Sequence, residues 1–292
     1  MNVRKTLLIT GGTGFIGSHI CRKFIEEGWH IVSLVRKIPA VKTDAIDYML
    51  FDLKKPVVPE LPSTIDVFIH AAFVRHARPE GIYNANLNSA KMLLDAIAPQ
   101  NIPVKLFISS LSAKEHAASA YGRSKFDISQ LFLASGGSVV RAGLVLGKGG
   151  LFLSMWKYIS SKKIIPLFGD GLQPVQAVHI DDLVDCIYKI TTQQFKGTFV
   201  VAENVPVSYK QFYTALAAMA GVNPRFVRLS FGATTTLLKV AEFFGKEMPV
   251  TSDNLLGLKE MEYIPSAADL KLLGIQLRDW KTSLAQLNSS ID

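Results

Sequence analysis

A tyrosine and a lysine four residues apart, in Tyr121-Gly122-Arg123-Ser124-Lys125, are the pair in this sequence best suited to moving a proton. On a helix such positions share a face. A free phenol titrates near ~10 and is a poor base at neutral pH. An ammonium held beside it favours the phenolate. The same spacing arises by chance on surface helices, so the pair carries weight only in company. One companion lies upstream, where an apolar strand pattern over 104–109 ends in Ser109-Ser110-Leu111-Ser112. Hydroxyls at a strand's carboxyl end can bond a substrate oxygen, or simply finish the strand. The other companion is Thr10-Gly11-Gly12-Thr13-Gly14-Phe15-Ile16-Gly17-Ser18. It follows a short apolar run and opens a helical pattern, with Ile16, Ile20 and Phe24 at i, i+4 and i+8 and Gly28 as its stop. In that setting Gly11 permits a tight turn, Gly14 a close approach of backbone to a pyrophosphate, and Gly17 close helix–strand packing. Thr13, Phe15 and Ile16 complete a turn whose free N–H groups face an anion.

The elements that hold these residues can be read from the same chain. Strand patterns at 30–35, 47–51, 65–70, 104–109 and 138–141 alternate with helical patterns, among them 86–98 and 121–134. Such alternation predicts a doubly wound parallel sheet with helices on both faces. Ligands of such sheets bind beyond the carboxyl ends of the strands. The residues there are Arg36 and Lys37, then Asp52 and Leu53, then Ala71 and Ala72, with Arg75, His76 and Arg78 at the mouth of the cleft, either to meet an anionic substrate or as a solvated loop. Past Gly150 the pattern changes to Gly- and Pro-rich loops around 166–174, helices over 180–191, 208–220 and 233–245, and a strand over 198–201. The expected organisation is a dinucleotide-binding domain over 1–165, its sheet partly completed by later segments, and a smaller mixed α/β substrate lobe over 166–292.

The composition, 49% hydrophobic and 19% charged in 292 residues, is that of an ordinary globular protein. Cys21 and Cys186 fall inside helical patterns and read as buried thiols of a reducing, cytoplasmic compartment. No signal-like start and no membrane-length apolar run is visible. The formal charge of +8 comes without a dense basic block or basic–aromatic interleaving, which argues against nucleic acid and for small anionic partners. His70, His76 and His116 are scattered without metal-ligand spacing, so no metal is expected.

Taken together, these motifs resemble the extended short-chain dehydrogenase/reductases, also called NAD-dependent epimerase/dehydratases, over nearly the whole chain. Thr10–Gly17 matches that family's TGxxGxxG turn and Tyr121–Lys125 its YxxxK. Phe168-Gly169-Asp170-Gly171 and Val178-His179-Ile180-Asp181-Asp182 match its linker into the substrate lobe, and the stretch from Tyr263 to Ile275 its closing segment. The resemblance implies a Rossmann-type fold with Tyr121 as general acid/base. It implies that Lys125 lowers the phenol's pKa and holds the nicotinamide ribose. Ser110 or Ser112 orients the substrate oxygen, the strand end favouring Ser110. Asp52 and its neighbour Leu53 meet the adenine, Ala71 and Ala72 line the cofactor cleft, and Asn86 steadies the central helix. It further implies a homodimer built from the helices over 86–98 and 121–134, the second offering Phe126, Leu131 and Phe132.

Departures from the family's pattern refine this expectation. NAD-specific members carry an acid at the end of the second strand. Here the run is Val35-Arg36-Lys37, and a guanidinium there suits a 2′-phosphate, so NADP is expected, with NAD as the alternative. The acid pair of sugar-nucleotide dehydratases is absent from Leu111-Ser112-Ala113, and the epimerases' asparagine from Arg141–Val145. His179, with Asp181 and Asp182 behind it, reads as a helix N-cap with acids in the first turn. The expected function is an NAD(P)-dependent oxidoreductase or epimerase acting on a hydroxyl or carbonyl of a small metabolite. The alternatives are a cofactor-binding sensor or scaffold of the same fold and a nucleotide-sugar epimerase or dehydratase. A Tyr–Lys pair favours an enzyme, because a sensor needs no proton shuttle.

Overall fold

The computed structural model describes residues 4–74, 79–244 and 250–288. The first half alternates strand and helix: β1 (Thr6–Thr10), α1 (Phe15–Glu26), β2 (His30–Val35), β3 (Ile46–Leu50), β4 (Val67–His70), α2 (Pro79–Ile97), β5 (Val104–Ser110), α3 (Ala120–Ala134) and β6 (Ser138–Ala142). There follow β7 (Leu144–Leu146), α4 (Gly150–Ser161), β8 (Ile164–Phe168), β9 (Pro174–Val175), β10 (Ala177–His179), α5 (Ile180–Thr192) and β11 (Gly197–Val201). The chain continues through β12 (Val207–Ser208), α6 (Tyr209–Met219), β13 (Arg225–Leu229), α7 (Phe231–Phe243), α8 (Ser252–Lys259), α9 (Ala267–Leu273) and α10 (Trp280–Asn288).

Among the described residues the main sheet has seven parallel strands in the order β3-β2-β1-β4-β5-β6-β11. The order reverses between β1 and β4, which opens a crevice at their carboxyl ends. Alternation along each strand divides the core. Leu7, Ile9, Leu106 and Ile108 face α1 and α5, whereas Leu8, Phe68 and Phe107 face α2 and α3. The second face holds Phe132 of α3, stacked on Phe68 and Phe107 with centroids 5.9 and 5.4 Å away. Burying one such ring stabilises the fold by roughly 1.5–3 kcal/mol. Phe132 is therefore core and not available to a partner subunit, contrary to its expected place on an outer face. Phe126 and Leu131 are half-buried.

A third cluster packs α4, β8, α6 and α10 together outside the main sheet. A fourth joins Phe168, Leu238 and Leu255 beneath α7 and α8. The stretch expected to be loop from residue 166 begins inside β8, which pairs in parallel with β13. Pro166 sits opposite Val227 in this two-stranded pair, where a missing N–H is tolerated at an edge. The helix expected from Asn86 starts at Pro79. No helix of the described residues is long and apolar enough to cross a membrane. Cys21 and Cys186 are buried free thiols, each with its pKa pushed up to about 12 by burial.

Candidate active site

The glycine turn closes the carboxyl end of β1. Gly11 has φ +73°, and a Cβ there would lie 2.9 Å from the Ala72 backbone. A Cβ on Gly17 would lie 2.1 Å from the Gly11 carbonyl oxygen. Only glycine fits at either position, for two separate reasons: left-handed backbone at the first and helix-to-turn contact at the second. α1 starts at Gly14 with no side-chain cap and no acid in its first turn. Its leading N–H groups at Phe15, Ile16 and Gly17 thus have no acceptor within the helix. Thr13 and Gly14 are exposed at the tip. An uncapped helix end behind a turn with no room for side chains fits a pyrophosphate. Phe15 lies against Gly147, Gly149 and Gly150, where any Cβ would come within 2.9 Å of its ring.

Thr10 and His70, opposite each other in the β1–β4 register, fasten the crevice from below. Thr10 Oγ1 accepts the N–H groups of Ala71 and Ala72, both at 3.1 Å, and contacts His70 Nδ1 at 2.8 Å. Burial pushes the His70 imidazole down to about 3, with the Lys125 charge adding to the effect. Thr10 reads in the sequence only as the first residue of the glycine turn, and His70 only as a scattered histidine. Their signal, a threonine and a histidine ending adjacent strands, depends on knowing that those strands are neighbours. At the outer rim Val35 is buried, and Arg36 and Lys37 are exposed. Asp52 is half-buried, and its Oδ1 accepts the Lys54 N–H at 3.0 Å. The Leu53 side chain is buried in the core. Asn86 is fully buried: it accepts the Val74 N–H at 2.8 Å and donates to the Val74 and Ile82 carbonyls. Arg75, His76 and Arg78 lie outside the described residues.

Tyr121 and Lys125 share one face of α3. Lys125 is 5% exposed, and its Nζ donates to the Ile108 carbonyl at 2.6 Å. The ammonium lies over the rings of Phe73, Phe107 and Tyr121, 4.4, 4.5 and 5.9 Å from their centroids. Phe73 in turn meets Tyr121 edge-to-face at 5.1 Å. Two aromatic faces thus screen the lysine from water beside the half-buried Tyr121. Neither phenylalanine was predicted from sequence, since apolar residues beside strands read as core.

The serines divide by strand alternation. Ser109 turns inward and bonds Ser129 Oγ at 2.9 Å. Ser110 and Ser112 are half-buried beyond it, and Ser110 Oγ accepts the Ser112 N–H at 3.2 Å. Arg141 grips this turn from β6: its guanidinium donates to the carbonyls of Ser110, Leu111 and Ala113. Burial lowers its pKa, an effect opposed by Glu262. Gly122 lets the turn pack on α3, because a Cβ there would come within 2.6 Å of the Ser112 carbonyl oxygen. His179 is the N-cap of α5, accepting the Asp181 N–H at 3.2 Å, while Arg278 donates to it at 3.0 Å. Burial, reinforced by Arg278, lowers its pKa. That matches a capping role.

A family model described as the NAD dependent epimerase/dehydratase family matches residues 7–202. Among curated proteins, the chain is 25% identical over 238 residues to a ceramide reductase of Caulobacter vibrioides (strain NA1000 / CB15N), covering 78% of this chain and 74% of that protein. It is 26% identical over 269 residues to an epimerase family protein of Staphylococcus aureus (strain MRSA252), covering 80% and 89%. Among solved structures it is similar to a UDP-glucuronic acid 4-epimerase from Bacillus cereus in complex with UDP-glucuronic acid and NAD. The TM-score is 0.74 at 18% identity, over 98% of each chain. At that identity the likeness carries the fold alone.

Proposed function

Because this chain belongs to the NAD-dependent epimerase/dehydratase family, we propose that it is a nicotinamide-dependent oxidoreductase interconverting a hydroxyl and a carbonyl on a small metabolite. Tyr121 is its general acid/base. The observation that carries this reading is the Lys125 ammonium, 5% exposed and 5.9 Å from the centroid of the Tyr121 ring. Burying a cation is costly, and a protein that only sensed a nucleotide would gain nothing from one below a half-buried phenol.

When bound, the nicotinamide supplies or accepts the hydride. Tyr121 Oη gives its proton to the substrate oxygen on reduction and takes it back on oxidation. Lys125 Nζ supplies a positive charge beside the Tyr121 ring. Ser110 Oγ, or Ser112 Oγ beside it, donates to the same substrate oxygen and orients it. The uncapped N-terminus of α1 would hold the cofactor's phosphates, and Asp52 would face its adenine. Arg36, exposed where an acid would select NAD, favours NADP. A reductase among the relatives agrees with chemistry on a carbonyl. The nucleotide-sugar reading lacks support in Leu111-Ser112-Ala113, which offers no acid beside the hydroxyls.

The test mixes the chain with NADPH or NADH and a panel of aliphatic and aromatic ketones, UDP-glucose and UDP-glucuronic acid. Nicotinamide absorbance and sugar chromatography are followed. Oxidation of NADPH by a ketone is the expected result. Epimerised sugar without net change in cofactor would overturn the oxidoreductase in favour of an epimerase. Tight NADP binding with no turnover of any compound would favour the sensor.

A further inference from the structure

The loop joining β5 to α3 carries the candidate hydroxyls at one end and Tyr121 at the other. Arg141 holds its first half. Its second half is held by the other lobe. The Ala118 N–H donates to Glu260 Oε2 at 2.8 Å. Lys114 Nζ donates to the Glu260 carbonyl at 2.6 Å and pairs with Glu262 at 3.0 Å. Asp253, in the first turn of α8, reaches α3 itself. Its Oδ1 accepts the Ala120 N–H at 2.6 Å and its Oδ2 the Tyr121 N–H at 3.3 Å.

This accounts for the first N–H groups of α3. A helix begins with N–H groups that have no intrahelical acceptor. The N-cap Ser119 takes that of Gly122 at 3.1 Å, and α3 has no acid in its own first turn. The N–H groups of Ala120 and Tyr121 are left over, and both go to Asp253. The carboxylate is itself held firmly. Thr251 and Asn254 form a reciprocal capping box for α8. Ser252 donates its N–H and its hydroxyl to Glu242, each at 2.7 Å. Leu255, one turn on, is 1% exposed in the cluster with Phe168 and Leu238.

We propose that Asp253 is a positioning residue for Tyr121: a carboxylate of the substrate lobe fixes the helical turn that carries the proton-transferring phenol. Seating of the lobe on the sheet then determines where Tyr121 Oη stands. The catalytic consequence rests on the reading of Tyr121 given above; the clamp itself does not.

The test therefore uses the full chain with NADP and no substrate. Asp253→Ala, Asp253→Asn and the surface control Lys259→Ala are compared with wild type by amide hydrogen exchange. The same proteins are labelled with fluorotyrosine, and the Tyr121 resonance is identified by its loss in Tyr121→Phe. In Asp253→Ala the Ala120 and Tyr121 amides should exchange roughly tenfold faster or more, as expected for losing hydrogen bonds to a charged acceptor. The Tyr121 resonance should shift or broaden. Asp253→Asn, with one acceptor oxygen left, should restore protection at one of the two amides and return the Tyr121 resonance part of the way. Exchange in the Gly11–Gly17 turn and calorimetric NADP affinity should not change. If Asp253→Ala does not fold, Asp253→Asn decides, because one of the two amides must still lose protection. Unchanged exchange at 120–121, an unmoved Tyr121 resonance, or a rise in exchange spread evenly over the chain would each overturn the proposal. Full turnover by Tyr121→Phe would instead remove the acid/base reading and leave the exchange result standing.

Discussion

His70 links the stability of the sheet to the floor of the cofactor crevice, and it makes the pH dependence of this protein calculable. Thr10 Oγ1 already accepts two N–H groups, so its own hydrogen goes to His70 Nδ1 at 2.8 Å. Nδ1 is therefore an acceptor and Nε2 carries the ring hydrogen. Nε2 is buried without a partner among the described residues, and the ring stacks on Phe107 and Phe132. A second proton would add a cation to an apolar site that already holds Lys125. Hence the folded-state pKa falls from 6.5 to about 3. The unfolded chain takes up this proton near its ordinary value, and the folded chain does not. Stability from His70 is thus complete above the unfolded pKa and is lost as pH falls toward the folded one. Between about pH 7 and about pH 5 the loss is about 2 kcal/mol, sizeable against a total of roughly 5–15 kcal/mol. The perturbation is His70→Asn, whose Oδ1 can still accept from Thr10. The assay is urea unfolding of both proteins at each pH. The variant should be less stable at neutral pH but flatter, its acid loss about 2 kcal/mol smaller than that of wild type. Burial lowers the His179 pKa too, which adds a slope of the same sign to both proteins, so the difference isolates His70. Parallel losses in the two proteins would refute the reasoning.

Tyr121→Phe keeps the ring against Phe73 and removes the proton; turnover should fall roughly 10²–10⁴-fold while calorimetric NADP binding persists, and unchanged turnover would sink the assignment. Arg36→Ala should remove a tenfold to hundredfold preference for NADP over NAD, roughly the worth of one charge-assisted contact. Wild-type binding that is equal for the two cofactors would show Arg36 to be a solvated side chain, and any preference should shrink in salt. Gly17→Ala sets a methyl 2.1 Å from the Gly11 carbonyl oxygen. It should cost about 1–3 kcal/mol or more and abolish measurable NADP binding; a melting temperature and affinity like those of wild type would mean that the turn yields.

The main sheet was legible because its strands are short apolar runs separated by strong punctuation: Gly28 after α1, Gly136 and Gly137 after α3, and the glycine turn itself. Each signal lies within a few residues of what it controls. The smaller lobe was less legible because its order depends on distant pairing. β8 contains a proline that reads as a breaker, and only its partner β13, some sixty residues on, makes it a strand. The site divides in the same way. Tyr121, Lys125 and the serines announce themselves through spacing on one helix and the strand before it. What holds them does not: Arg141 is an arginine on a strand, and Phe73 and Phe107 look like ordinary core.

Asp253 is the instructive case, because part of its role could have been read. Thr251-Ser252-Asp253-Asn254 announces a helix start, and the capping box needs only Thr251 and Asn254. The acid in that first turn is surplus to its own cap and serves α3, whose start carries a serine cap but no acid. A sequence can thus expose two halves of such an arrangement, a helix start with an acceptor to spare and another with an acceptor missing. It cannot join them, because matching them requires that two helices more than a hundred residues apart meet end to end. That information resides in the packing of the lobe on the sheet, and Asp253 is where this packing reaches the residue proposed to move the proton.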